Sequence, residues 1–173
     1  MNLIQNILLK IFYDFRFYRN IYTDLERQDI LEKTKRYLKD WNENGDFPEL
    51  YFPGLQTPPN IHREVDLSKL FNVCGDVDVK NCWLNYTRKG FPNHYSWHTH
   101  PYRYTGVYYF DDGLGTMFKG RLKNFQINIL KDTLVVFPAY IFHSMPVHEE
   151  NERYTIAFDF DVHKSENRQE GDL

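Results

Sequence analysis

Two histidines one residue apart, His98 and His100, mark the stretch of the chain with the clearest chemical potential. In an extended segment, residues i and i+2 point to the same face and lie about 6 to 7 Å apart. Two imidazoles on one face need one further ligand to make a facial site for Fe(II) or another transition metal. The pair therefore predicts a metal site, with ordinary surface or core histidines as the alternative.

His143 is the candidate for the third ligand. It lies in "DTLVVFPAYIFHSMPV", which predicts a strand, a tight turn at Pro138 and a second strand near the histidine. Antiparallel folding would return its imidazole to the end of the sheet where His98 and His100 lie. We expect surface or satisfied core positions for the other histidines, which are His62, His94, His148 and His163.

Arg153 follows ten residues after His143, and Thr155 lies two residues beyond it. On a strand they share a face, and a guanidinium with a hydroxyl beside it suits a carboxylate ligand. An arginine that points into a sandwich would be costly without an anion. The alternative is an exposed Arg153 paired with Glu149 or Glu152.

Strand-like segments succeed one another from residue 77 onward. They have turn residues between them, and no helix of ten or more residues fits in the gaps, which argues against parallel βαβ units. This spacing favours an antiparallel sandwich or jelly roll. The segments are "VKNCWLNYT", "YTGVYYF", "TMFKG", "NFQINIL", "TLVVFP", "IFHSMPV" and "RYTIAFDFDV".

One convincing helix precedes these strands, in "TDLERQDILEKTKRYLKDW". Thr23 and Glu26 have capping-box spacing, and Gly45 follows as a stop signal. Its apolar residues approximate a single stripe, which predicts a helix lying on the sheet. They are Leu25, Ile30, Leu31 and Leu38, with Trp41 near the end. A second, short helix is expected in "DLSKLF".

We expect one domain with three parts. Residues 1–76 form a helix and loop region packed on the core, residues 77–163 form the β core, and residues 164–173 form a polar tail. Residues 1–76, with their helix and the Pro-rich connection "DFPELYFPGLQTPPN", are the candidate substrate lid. The apolar start of the chain is interrupted by charges well before it could span a bilayer, so we expect a packing segment.

Composition narrows the classes of partner. The net charge of -3 gives no basic field, so neither nucleic acid nor an anionic membrane is an implied partner. The 17% aromatic content favours β structure. Cys74 and Cys82 lack a CxxC pattern, which predicts reduced thiols and a cytoplasmic location.

Residues 77 to 162 resemble the 2-oxoglutarate and Fe(II)-dependent oxygenase superfamily, in particular its small phage and bacterial members with HxH in place of HxD. The resemblance rests on "CWLNYTRKG", "WHTHPYRYTGVYYFDDG", "LVVFPAYIFHSMPV" and "ERYTIAFDF". It implies a mainly β double-stranded β-helix, or jelly roll, with helical elements at the N-terminus. It also implies Fe(II) at the open mouth, chelated by 2-oxoglutarate, with O2 as the second cosubstrate.

By this resemblance, His98, His100 and His143 would be the catalytic metal ligands, and Arg153 and Thr155 would bind the far carboxylate of 2-oxoglutarate. The departure is at residue 100, where most of the superfamily has Asp or Glu. Three neutral imidazoles leave the metal with its full charge, offset only by the cosubstrate. We expect His100 to be a ligand, with an imidazole standing off the metal as the alternative.

Further contacts are predicted around this site. Asn85 and Tyr108 are candidates for hydrogen bonds to 2-oxoglutarate, because polar groups inside a barrel need partners there. A turn-end amide and a core tyrosine are the alternatives. Asp111 and Asp112 lie at the far end of the next strand, so we do not expect them to bind the metal. Trp83, Trp97 and Phe137 are expected in the core or pocket wall, and Tyr102 and Tyr104 near the substrate.

The resemblance implies a dioxygenase that hydroxylates a substrate while 2-oxoglutarate becomes succinate and CO2. A prolyl-type side chain of a protein or peptide is the favoured substrate, by resemblance alone. Two alternatives stay open. One is a cupin-like three-histidine metalloenzyme that does not use 2-oxoglutarate, and the other is a non-catalytic barrel that serves as a binding module. The sequence leaves the oligomeric state open.

Overall fold

The computed structural model describes residues 14–44, 54–87, 97–120, 123–145 and 152–163, with the side chains of residues 41–44 and 54–55 excepted. Two α-helices lie within these ranges, α1 (Asp24–Asn44) and α2 (Ser68–Asn72), together with a 3-10 turn at Ile61–Arg63. The strands there are β1 (Arg16–Arg19), β2 (Gly54–Gln56), β3 (Val77–Thr87), β4 (Tyr104–Tyr109), β5 (Gly113–Phe118), β6 (Phe125–Ile129), β7 (Thr133–Pro138), β8 (His143–Ser144) and β9 (Arg153–Val162).

The strands form two antiparallel sheets. One has six strands in the order β1-β7-β4-β9-β3-β2, and the other has three in the order β6-β5-β8. The mainly β, antiparallel architecture predicted from the sequence is confirmed, and each of the seven predicted segments overlaps a strand. Strands β1 and β2 were not predicted, because each is a short edge strand without an alternating pattern of its own.

The six-stranded sheet buries both of its faces. One face packs against the helices, and the other packs against the three-stranded sheet, because side chains alternate along each strand. On the helix side, Phe158 and Phe160 of β9 share a cluster with Ile30, Leu38 and Leu70. The cluster between the sheets includes Val107, Tyr109, Ala157, Ile127 and Ile129. The predicted packing of the N-terminal helix on the sheet is therefore observed.

Helix α1 begins with the predicted capping box. The Thr23 amide donates to Glu26 Oε2 at 2.9 Å, and the Glu26 amide donates back to Thr23 Oγ1 at 3.3 Å. Ile30 and Leu38 are buried, but Leu25 is 83% exposed, so its place in the predicted stripe was wrong. Five residues of α-helix turn through about 140° beyond a full turn, which directs Leu25 away from the face of Ile30.

A buried carboxylate joins the start of α1 to the sheet. Asp132, in the turn between β6 and β7, has a positive φ of 53°, a conformation that aspartate tolerates. It accepts hydrogen bonds from the amide of Tyr22 at 3.2 Å and from the hydroxyl of Tyr108 at 2.7 Å. The turn therefore holds the residues that precede α1 against the end of β4 and the start of β7.

Several predictions fall on residues 1–13, 45–53 and 164–173, which lie outside the described residues. They include the N-terminal packing segment, part of the candidate lid and the polar tail, so the division into three parts stays a prediction. Of the helices in the described ranges, none has the length and apolar character needed to cross a membrane.

Candidate active site

Backbone pairing brings the three predicted histidines together. The His98 amide donates to the His143 carbonyl at 3.1 Å, and the His143 amide donates to the His98 carbonyl at 3.0 Å. The His100 amide donates to the Ala139 carbonyl at 2.9 Å. His98 thus extends the three-stranded sheet beside β8, and His100 is tied to the connection between β7 and β8.

The imidazoles of His98, His100 and His143 form one cluster. One ring nitrogen from each lies within 4.8 Å of the other two, and the ring centroids are 4.4 to 5.1 Å apart. A metal bound at about 2.1 Å needs ligand nitrogens no more than about 4.2 Å apart. Small side-chain rotations therefore suffice to direct all three nitrogens to one ion.

The surroundings of His143 leave it ready to bind a metal. Its Nδ1 lies 2.9 Å from the carbonyl oxygen of Ile141, which places the proton on Nδ1 and leaves the lone pair on Nε2. Burial lowers the pKa of His143 to about 4, against the opposing effect of the Ile141 carbonyl. The ring is therefore neutral near pH 7, the form that coordinates metals.

His100 stands between an aromatic ring and a carboxylate. Its ring stacks on Trp83 with centroids 5.6 Å apart, and its Nδ1 lies 3.0 Å from Oδ2 of Asp159. Its Nε2 is buried and has no hydrogen-bond partner among the described residues. An orphaned nitrogen beside two other imidazoles is the group that a bound metal would satisfy, so the residues present fit a metal ion.

Arg153 points into the sandwich, as the carboxylate-clamp hypothesis requires. Its side chain is buried, Nη1 donates to the carbonyl of Leu114 on β5, and the guanidinium lies over the ring of Tyr109 at 4.9 Å. Burial lowers the pKa of Arg153, opposed by Tyr109 and Asp111. Arginine nevertheless stays charged in proteins. The alternative of an exposed arginine is wrong.

Polar groups surround the guanidinium on the same face. Thr155 follows on β9, and pairing with β3 places Thr87 opposite Arg153 and Asn85 opposite Thr155. The hydroxyl oxygens of Thr87 and Thr155 are buried and have no hydrogen-bond partner within the described ranges. A buried cation with two such hydroxyls beside it fits an anionic ligand.

Tyr108 is not brought to this site. It faces the helices, where its hydroxyl bonds Asp132 and its ring meets Tyr22 edge-on at 5.7 Å. Its neighbour Tyr109 faces the interior instead, lies under Arg153 and contacts the Thr116 hydroxyl at 2.6 Å. Two adjacent tyrosines leave no contrast in polarity, so the sequence did not reveal which one faces inward.

The remaining predicted residues divide between the two faces. Phe137 packs edge-on against His143 with centroids 4.9 Å apart, so it joins Trp83 in the wall of the site. Tyr104 instead stacks on Phe160 in the helix-side cluster. Asp111 and Asp112 are exposed and lie outside the histidine group, as expected.

Asp159 is the site residue that sequence reasoning missed. It is fully buried on β9, where it approaches His100. A signal was present in the sequence, because residues 153, 155, 157 and 159 of one strand share a face. Counting on from Arg153 and Thr155 would have placed this carboxylate on the same face.

Comparison with known proteins supports the fold. No protein-family model and no curated protein matches the chain. HygX from Streptomyces hygroscopicus, solved with nickel and 2-oxoglutarate bound, is similar with a TM-score of 0.63 and 8% identity, over 94% of this chain and 87% of HygX. EctD from S. alaskensis, solved with bound Fe, has a TM-score of 0.62 and 11% identity, over 94% of this chain and 77% of EctD.

A third similar structure is the viral collagen prolyl hydroxylase vCPH from Paramecium Bursaria Chlorella virus-1, in its 2OG complex. Its TM-score is 0.59 at 13% identity, over 87% of this chain and 96% of vCPH. At such identities the likeness concerns the fold. This chain has the double-stranded β-helix fold of 2-oxoglutarate and Fe(II)-dependent oxygenases, so the fold implied by its motifs is confirmed.

Proposed function

We propose that this protein is an oxygenase that uses Fe(II), 2-oxoglutarate and O2. The observation that supports the proposal is a pair of groups on one interior face, the histidine cluster at one end and the buried Arg153 with Thr155 further along. Asp159 lies beside His100, at the histidine end of β9. Thr155 lies four residues earlier on the same strand, about 13 Å away. A metal site and an anion site on one face suit a metal-chelating dicarboxylate.

His98, His100 and His143 would hold the iron in this proposal. The Ile141 carbonyl orients the ring of His143, and the contacts with Trp83 and Asp159 orient the ring of His100. Backbone pairing holds His98 beside His143. Bound Fe(II) would supply the O2 chemistry that couples decarboxylation of 2-oxoglutarate, to succinate and CO2, with oxidation of the substrate. The chain's own contribution is to keep the three nitrogens converged and, at His143, to keep the ring neutral by burial.

Arg153 and Thr155 would hold the carboxylate of 2-oxoglutarate far from the metal. The guanidinium supplies charge and paired donors, and the Thr155 hydroxyl supplies a donor that has no other described partner. Asn85 and Thr87, which pair with them from β3, would complete the anion site. This arrangement fixes the orientation of the cosubstrate, which is the main contribution a protein makes to such chemistry.

Succinate formation tests the proposal directly. Protein purified without oxygen is loaded with Fe(II), given 2-oxoglutarate and O2, and assayed for succinate, with samples lacking iron or 2-oxoglutarate as controls. We expect slow succinate formation without a substrate and faster formation with one. A protein that binds iron but makes no succinate under any condition would contradict 2-oxoglutarate use.

A cupin-like enzyme is the second candidate, because a ligand set of three histidines without a carboxylate is a specific observation in its favour. Such an enzyme would consume O2 with a suitable substrate and without 2-oxoglutarate. Measuring O2 uptake in the presence and absence of 2-oxoglutarate separates the two candidates. The buried Arg153, which this second candidate leaves without a role, favours the first.

We propose substrate hydroxylation as the outcome, with a prolyl-type side chain of a protein or peptide as the first substrate class to test. The support is the sequence resemblance, and the fold shared with vCPH is compatible with it. Proline-containing peptides incubated with the loaded enzyme under isotopically labelled O2 should gain one labelled oxygen atom, detected by mass spectrometry. Free proline and lysine-containing peptides are the matched controls.

A further inference from the structure

A buried carboxylate lies directly behind one of the proposed metal ligands. Asp159 is 0% exposed, and its Oδ2 lies 3.0 Å from Nδ1 of His100. Its other oxygen, Oδ1, accepts a hydrogen bond from the Thr105 hydroxyl at 2.8 Å. Carboxylates are rarely buried without a charge partner or several donors, because desolvation is costly. Its position therefore calls for a function.

The charge of the histidine cluster gives a reason for the buried carboxylate of Asp159. Three neutral imidazoles bring no negative charge to a divalent metal, whereas the usual pattern of the resembled superfamily has a carboxylate at position 100. In this chain an imidazole takes that position, and the carboxylate of Asp159 lies behind it, further from the other two histidines. A carboxylate behind a ligating histidine fixes its tautomer and raises its basicity.

We propose that Asp159 is a positioning residue that acts through His100, an inference that rests on the proposed metal site. Its Oδ2 lies close to Nδ1 and has no hydrogen-bond partner among the described residues, so it is available to accept from Nδ1–H. That bond would keep the proton on Nδ1 and leave the Nε2 lone pair free to bind the metal. It also supplies, through the imidazole, the negative charge that a carboxylate ligand supplies elsewhere. The pair of His100 and Asp159 thus takes the place of the usual aspartate or glutamate.

The packing around His100 supports this assignment. Trp83 stacks on the ring at 20° between planes, and His143 lies nearly parallel to it at 17° with centroids 5.1 Å apart. These two near-parallel rings limit the space in which the imidazole can turn. Nδ1 lies on the side of Asp159, and Nε2 is left without a partner among the described residues.

Metal affinity in the apo protein tests the proposal without any turnover. Co(II) and Ni(II) are titrated into wild type and Asp159→Asn, and binding is followed by calorimetry and by the Co(II) absorption spectrum. We expect about 10- to 100-fold weaker binding in the variant. The amide would donate to Nδ1 and favour the tautomer with its proton on Nε2, the wrong nitrogen for binding. Unchanged affinity would overturn the proposal.

Asp132→Asn is the matched control, because Asp132 is also a buried carboxylate but bonds Tyr22 and Tyr108 away from the histidines. This variant should lower thermal stability and keep wild-type metal affinity. A comparable affinity loss in both variants would mean that a buried carboxylate acts on the site only through stability, which contradicts the proposal.

A double-mutant cycle of Asp159→Asn with His100→Asp tests whether the effect of Asp159 on metal binding passes through His100. With aspartate at position 100, a carboxylate can bind the metal directly, and Asp159 becomes a like charge beside it. Asp159→Asn should therefore weaken binding when residue 100 is histidine, and should leave binding unchanged or strengthen it when residue 100 is aspartate. Equal losses in the two backgrounds would show that Asp159 does not act through His100.

The tautomer can also be read in the wild-type protein, should Asp159→Asn fail to fold. Nitrogen NMR of histidine-labelled apo protein, with His100 assigned by comparison with His100→Gln, should show a proton on Nδ1. A dominant Nε2–H form would overturn the proposal. If wild type itself binds no metal, the proposed metal site fails. If wild type binds metal and Asp159→Asn binds equally well, only the role of Asp159 fails.

Discussion

The two faces of β9 differ in what they contribute to the molecule. The even-numbered residues pack under the helices and are Tyr154, Ile156, Phe158 and Phe160. The odd-numbered residues face the second sheet and are Arg153, Thr155, Ala157 and Asp159. The first set is aromatic or aliphatic, whereas the second holds a cation, a hydroxyl and a carboxylate in the protein interior.

This difference separates stability from chemistry on a single strand. Burying apolar rings favours folding, whereas burying charged groups opposes it unless they find partners. The polar face therefore makes physical sense if its partners are ligands and the groups that hold them. Substitutions on the helix face should mainly change the free energy of unfolding, and substitutions on the inner face should mainly change binding.

Removal of His143 should have the largest effect on the inner face. His143→Ala takes away the most buried imidazole of the cluster, and we expect metal affinity to fall by more than about 100-fold, beyond the range for groups behind a ligand. Turnover should be abolished. Calorimetric titration of Co(II) measures the affinity, and His163→Ala, at an exposed histidine, is the control. Wild-type affinity in His143→Ala would exclude it as a ligand.

Phe158→Ala should give the largest effect on the helix face. The ring is fully buried, packs edge-on against Phe71 at 5.1 Å and lies against the backbone at Gly106. Its loss should lower the free energy of unfolding by about 3 to 5 kcal/mol, measured by urea denaturation. Phe142→Ala, at a ring 48% exposed, should cost under about 0.5 kcal/mol. Loss of metal affinity without loss of stability in Phe158→Ala would contradict the division between faces.

Much of this division could be predicted from the sequence. Alternation located β3, β4, β7 and β9, and the capping box located the start of α1, because both are local signals. The histidines and Arg153 could be assigned because imidazoles and an arginine stand out against an apolar strand. The resemblance then supplied the order of the motif, which composition alone does not contain.

The rest depended on contacts that a local pattern does not encode. The sequence does not show which of Tyr108 and Tyr109 faces inward, because both are aromatic. Only the pairing of β4 with its neighbouring strands determines it. The proposed role of Asp159 depends on its contact with His100, which is distant in sequence and approaches it only through the fold. Strand β1 was missed because its pairing with β7 joins segments more than a hundred residues apart.

Arg153→Lys sharpens the comparison within the inner face. Lysine keeps the charge but cannot make the paired hydrogen bonds of a guanidinium, and a hydrogen bond to a charged group is worth about 1.5 to 3 kcal/mol. We expect about 10- to 100-fold weaker binding of 2-oxoglutarate, on the same energetic basis. Metal affinity should be unchanged. The control is Arg103→Lys, at an exposed arginine.

Equal losses of metal and 2-oxoglutarate affinity in Arg153→Lys would count against a dedicated carboxylate site. Both quantities can be measured on one sample, by titrating Co(II) first and 2-oxoglutarate second. The order matters because the proposed cosubstrate binds through both the metal and the arginine.

The adjacent tyrosines allow a matched test of the register. Tyr108→Phe removes the hydroxyl that bonds Asp132, and should lower the free energy of unfolding by about 1 kcal/mol without changing 2-oxoglutarate affinity. Tyr109→Phe removes a hydroxyl bonded to Thr116 beneath Arg153, and should weaken 2-oxoglutarate binding by a few-fold. Thermal unfolding and titration measure the two effects. If Tyr108→Phe weakened 2-oxoglutarate binding and Tyr109→Phe did not, the assignment of the two tyrosines to the two faces would be reversed.

Leu25→Ala should have the smallest effect, although the sequence placed this residue in the apolar stripe of α1. Its side chain is 83% exposed, so its loss removes little buried surface, and alanine favours the helix slightly. We expect a change in the free energy of unfolding within about 0.5 kcal/mol. Ile30→Ala, at a buried position of the same helix, should cost about 2 to 5 kcal/mol. Similar losses in the two variants would mean that α1 presents a different face to the sheet.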